Sequence, residues 1–78
     1  MTVTIVSVSM KTESGDDYLF TYDRVEDPEE FVELVEKDLG DELAYVYSFD
    51  LNVMYSRIEK YEFEDALRNR IAEMEDGE

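Results

Sequence analysis

Apolar residues recur along this chain at two different periods, and the switches between them predict its elements. From Val3 to Lys11 the period is two. Val6, Val8 and Met10 alternate with Ser7, Ser9 and Lys11, as in a strand with one buried face. Val3 and Ile5 fall on the second face, so the start of that strand is expected to be covered on both sides. Glu13-Ser14-Gly15-Asp16 is a turn signal. Asp17 to Asp23 then reads as a second strand with an aromatic row, Tyr18, Phe20 and Tyr22. Opposed residues share a face, so this row is expected opposite Thr12, Met10 and Val8. That pairing requires an odd loop, of three residues (Ser14 to Asp16) or five.

The period then changes to that of a helix. Phe31, Leu34, Val35 and Leu39 recur on one side, with Val32 on the flank. Asp27 is a favourable N-cap, Pro28 suits the first helical position, and Glu30 completes an Asp-x-x-Glu box. Gly40 stands where a left-handed C-cap belongs. The opposite side is a carboxylate ridge of Glu29, Glu33 and Glu36, with Glu30 beside it.

After a turn at Gly40-Asp41-Glu42, Leu43 to Phe49 is expected to be a strand with large apolar side chains at its odd positions. Residues 50–61 fit two templates. As a strand, Val53, Tyr55 and Arg57 continue the odd row after a turn at Asp50-Leu51-Asn52. As a helix, Leu51, Met54, Tyr55, Ile58 and Tyr61 share a face. From Glu62 to Met74 Phe63, Leu67, Ile71 and Met74 mark a second helix, with Ala66 alongside and a Glu64–Arg68 pair. Arg70 lies within its apolar face and is expected to snorkel to the edge or to mark a contact. Residues 1–74 thus read as a single α+β domain ordered ββαβ, then a strand or short helix, then α. An antiparallel sheet should carry both helices on one face, with 75–78 a frayed acidic tail.

Composition narrows what such a domain can do. Its 78 residues include no Cys and no His, so the common nucleophile, general base and metal ligands are missing. None of the five serines, Ser7, Ser9, Ser14, Ser48 and Ser56, sits in a nucleophile context. Glu13, Asp16 and Asp17 around Gly15 lack the twelve-residue pattern of a calcium loop. No catalytic residue, metal site or cofactor is therefore expected. With no signal-peptide pattern at Met1–Val6 and no apolar run of membrane length, a soluble, cytoplasmic protein without membrane contact is expected.

Charge is the unusual quantity. Twenty-two acids against seven bases give −15, and residues 23–42 alone carry −8. Direct nucleic-acid binding is disfavoured, and the fitting partner is a basic protein surface. Along the first helix Glu29, Glu33 and Glu36 rise by about 6 and then 4.5 Å, close to the spacing of successive phosphates on a strand. A body of about 30 Å compares with duplex carrying roughly 18 phosphates. Salt adaptation is a weaker explanation, since Glu outnumbers Asp thirteen to nine and bulky aromatics are plentiful.

The leading expectation is an inhibitor that mimics DNA and occupies the cationic groove of a nucleic-acid-handling protein. Phage anti-defence proteins (the anti-CRISPR type) and nuclease immunity proteins are the functional classes meant, by analogy of charge and size. Glu29, Glu30, Glu33 and Glu36 would form its ridge, with Asp16 and Asp17, and Glu62, Glu64 and Asp65, as secondary patches. The alternative is an adaptor or accessory subunit that binds through an aromatic sheet face, its acids serving only solubility. Tyr18, Tyr22, Tyr45, Tyr47 and Tyr55 are otherwise expected in the core with their hydroxyls at its rim.

Overall fold

In the computed structural model, which describes residues 4–76, the chain runs β1 (Ile5–Thr12), β2 (Asp17–Asp23), α1 (Pro28–Leu39), a 3-10 turn (Gly40–Tyr45), β3 (Val46–Met54) and α2 (Lys60–Asp76). The strands form one antiparallel sheet in the order β2-β1-β3. Both helices cover the same sheet face. This is the expected α+β architecture. Val6, Val8 and Met10 of the central strand are fully buried beneath the helices, while Ser9 and Lys11 are exposed on the bare face. Val3 lies outside the described residues, and Ile5 is half-buried.

The β1–β2 loop is odd, but the pairing sits two residues from the expected one. Tyr18, Phe20 and Tyr22 oppose Met10, Val8 and Val6. The turn chemistry explains the shift. Thr12 N–H donates to the Asp16 carbonyl and Gly15 N–H to the Thr12 carbonyl, each at 3.0 Å. Glu13, Ser14 and Gly15 form the loop, and Gly15 takes the positive φ of 93° that a three-residue hairpin requires. The faces stay as expected because a two-residue slip preserves parity.

α1 begins and ends where its caps predict. The Asp27 carboxylate accepts from Glu30 N–H at 2.8 Å. Glu30 reaches back one residue further than in the usual box, accepting from Glu26 N–H at 2.7 Å. Gly40 has the expected positive φ of 61°, but its ψ of −135° lies outside the left-handed helical well. The chain continues into the 3-10 turn instead of a strand. The buried face is Phe31, Val32, Val35 and Leu39, whereas Leu34 is only half-buried and packs against the core from its edge. Phe31 meets Phe63 of α2 edge-on, with ring centroids 5.8 Å apart, and so joins the two helices.

The third strand differs most from expectation. Leu43, Ala44 and Tyr45 belong to the 3-10 turn, and β3 runs without a turn through Asp50-Leu51-Asn52. Neither the second hairpin nor a helix over 51–61 forms. The register steps from Lys11–Ser48 to Thr12–Val46, leaving Tyr47 as a bulge. That extra residue reverses the alternation, so Val46 enters the core and Tyr47 is 65% exposed. Tyr45 and Tyr55 are exposed as well. The expectation that these tyrosines lie in the core holds only in part, for Tyr18 and Tyr22, which are half-buried.

Two non-glycine residues turn the edge strands towards the helix layer at positive φ, Arg24 (58°) after β2 and Tyr55 (60°) after β3. In α2 the stripe is as expected. Phe63, Leu67 and Ile71 are buried, and Ala66 and Met74 pack against the core. The helix continues past Met74 to Asp76, into the expected tail, while residues 77–78 lie outside the described residues.

Candidate functional site

α1 positions its acids by the helical repeat, which sends the side opposite the buried stripe outward. Glu29 and Glu33 are exposed there and have no ion-pair partner among the described residues. The rest of the expected ridge is engaged within the fold. Glu30 caps the helix start, and Glu36, half-buried, accepts the Arg70 guanidinium of α2 at 3.4 Å. Arg70 also lies 3.7 Å from Glu73. It does snorkel, and what it reaches is Glu36, which ties α1 to α2, and Glu73 one turn along its own helix.

The secondary patches are dispersed. Asp16 accepts from the Ser14 hydroxyl at 3.2 Å in the hairpin loop, and Asp17 is exposed at the start of β2. In α2 Asp65 pairs with Arg68 at 3.0 Å, in place of the expected Glu64–Arg68 pair. Arg68 is drawn there by the Phe49 ring, 5.7 Å from its guanidinium carbon. Glu64 instead lies 4.0 Å from Lys60, which also reaches Asp50. Glu62 accepts from Glu59 N–H at 3.3 Å, at the start of the helix.

The structure brings α1 against different acids from those the sequence paired with it. A cleft of ≈ 530 Å³ between the helices is lined by Asp27, Glu29 and Glu73, with Arg70 between them and Val32 and Ala66 among its apolar lining. Glu73 carried no such signal in the sequence, and Arg70 stood out only as a cation within an apolar face, because the partner across the helices depends on how they cross.

Two further carboxylates hold the aromatic edge of the sheet. The Tyr22 hydroxyl donates to Asp38 at 2.7 Å, and the Tyr18 hydroxyl donates to Glu42. The bond to Glu42, reinforced by burial and by the charges of Glu42 and Asp16, pushes the Tyr18 phenol up to about 12. Burial first, and the Asp38 bond second, raise Tyr22 further. Tyr18, Phe20 and Tyr22 stack along β2 with centroids 6.1 and 6.2 Å apart.

Among the described residues no three Asp or Glu side chains converge as a metal ion would require, and no helix is long and apolar enough to cross a membrane. The surface offers exposed charge, hydrogen-bond acceptors and a few exposed aromatics, the means of non-covalent recognition. Comparison with protein-family models, curated proteins and solved structures returned no match for this chain.

Proposed function

We propose that this protein acts by binding, as an acidic inhibitor that occupies the basic nucleic-acid-binding surface of a protein target. The observation that carries this reading is the pair Glu29 and Glu33, exposed and without ionic partners among the described residues, on a molecule of net charge −15. Its extents of 41 × 22 × 19 Å support it. A duplex segment of that length carries roughly 24 phosphates, so the two bodies have charge densities of the same order. The inhibitor would work in the cytoplasm, that of the host cell if it is phage-encoded. An adaptor using an aromatic sheet face has less support. The bare face displays Ser9, Lys11, Asp17, Thr21, Ser48, Asp50 and Asn52 around the exposed Leu19, and the aromatic row of β2 lies on the helix side.

The test is affinity capture from a cell extract at low and high salt, followed by elution with duplex DNA. Basic proteins that handle nucleic acid should be retained, lost as salt rises, and displaced by the duplex. Glu29→Gln with Glu33→Gln should weaken capture more than the charge-matched pair Glu13→Gln with Glu59→Gln, while circular dichroism stays unchanged. Equal weakening by both pairs, or retention indifferent to salt and DNA, would remove the mimic reading.

A further inference from the structure

β2 is an edge of the sheet, and its outer backbone groups are unclaimed. The Thr12–Asp16 pair at the hairpin is a bonded one. Alternation along the ladder turns the amides and carbonyls of Tyr18, Phe20 and Tyr22 towards β1. It turns those of Asp17, Leu19, Thr21 and Asp23 away from it. Among the described residues no other segment bonds to that outer row. The opposite edge, β3, carries the Tyr47 bulge, a device that disturbs edge pairing. β2 has no bulge against β1 and is regular over its seven residues.

Its side chains define what could pair with it. On the bare face Asp17, Leu19, Thr21 and Asp23 are all exposed, Leu19 to 72%. On the helix side Tyr18, Phe20 and Tyr22 remain half-buried, because the helix layer stops short of this edge. A second copy is a poor occupant. The antiparallel two-fold register that uses the whole strand sets Asp17 against Asp23 of the other copy at both ends, and like charges directly opposed are destabilising. The same two carboxylates are complementary to a strand with a cation at each end.

We infer that β2 accepts an extended, basic segment of another protein as a fourth strand. Lys or Arg would stand opposite Asp17 and Asp23, with apolar side chains between them extending the Tyr18-Phe20-Tyr22 row. Backbone bonds to the outer groups supply the attachment, and the paired charges select a basic partner and fix its register. This surface lies beyond the proposed α1 site and does not depend on it.

The probe is the peptide acetyl-Arg-Val-Thr-Val-Thr-Val-Arg-amide, titrated into the isotopically labelled protein. Amide shifts should change along β2, and hydrogen exchange should slow at Asp17, Leu19, Thr21 and Asp23 but not along α1. The same peptide with Glu at both ends should bind more weakly, and a version N-methylated on the residues that face β2 should not bind. Asp17→Asn with Asp23→Asn should weaken the basic peptide by about three- to tenfold at low salt, the effect of two cross-strand charge pairs. Glu29→Gln with Glu33→Gln should leave the β2 response in place, which separates this surface from the α1 proposal. Leu19→Pro removes an outward N–H that the fold does not use and should abolish binding; if that variant unfolds, the N-methylated peptide still decides. Equal binding of the two charge types, changes centred away from β2, or no binding at millimolar peptide would overturn the inference. So would sedimentation showing a wild-type dimer joined through β2.

Discussion

Single side chains hold this fold at a few identifiable points, and α1 shows how unequal they are. Leu34 sits on the helix's apolar stripe by sequence but is half-buried, so Leu34→Ala should cost about 1 kcal/mol. Phe31 is fully buried between Tyr22 and Phe63, and Phe31→Ala should cost about 3–5 kcal/mol. Asp27→Ala should cost about 1 kcal/mol by leaving the Glu30 amide without its acceptor. Denaturant melts would rank all three. The tyrosine–carboxylate bonds predict a pH dependence of definite sign. Folding raises both phenols above their ordinary value of 10.0, so the stabilisation is fully present below that pH. It is lost as pH climbs through the folded value, about 12 for Tyr18 and higher for Tyr22. The double variant Tyr18→Phe/Tyr22→Phe should therefore lose less stability than the native chain between pH 10 and 12.

At the scale of elements, the bulge in β3 decides which residues the strand buries. Without it, continued alternation would turn Tyr47 towards the core and Val46 away. With it, Val46 packs among the helices and Tyr47 points to solvent. Val46→Ala should then destabilise by about 1–3 kcal/mol, whereas Tyr47→Ala should stay within about 0.5 kcal/mol. Thermal melts of the two variants check the bulge directly, since uninterrupted alternation predicts the reverse order. The bulge also shields one sheet edge, leaving β2 as the regular one.

At the scale of the molecule, charge sets the conditions under which the fold is most stable. Lys60, Arg68 and Arg70 each lie within ion-pair distance of at least one carboxylate, yet the net charge remains −15. The pairs of Lys60 with Asp50 and of Arg68 with Asp65 are exposed and add little individually, while the Arg70–Glu36 pair is half-buried. Self-repulsion among the remaining acids is the larger effect, so moderate salt should raise the melting temperature by on the order of a few °C. A melting temperature that falls with salt would mean that pairing outweighs repulsion. The Arg70–Glu36 contact also explains why the proposed functional test alters Glu29 and Glu33 and spares Glu36, whose loss would disturb the helix pairing as well as the surface charge.

Local patterns were legible where one segment contains its own cause. Val6-x-Val8-x-Met10 names a buried strand face, Asp27-Pro28 and Gly40 bracket α1, and the Phe63–Leu67–Ile71 stripe marks α2, because alternation, capping and helical repeat act within a few residues. Parity of the β1–β2 pairing was legible for the same reason, but its exact partners depended on the backbone of the Gly15 turn. The acidic character of the α1 surface was likewise written in Glu29 and Glu33. What those patterns left open was decided by contacts between distant segments. The angle of α1 on the sheet favoured Val32 over Leu34, and the crossing of the helices joined Arg70 to Glu36. Pairing with β1 drew residues 50–54 into one long strand with a bulge at Tyr47, overriding a local pattern that suited a turn or a helix equally well. A strand's register is set by its neighbour, and no stretch of sequence carries that information alone.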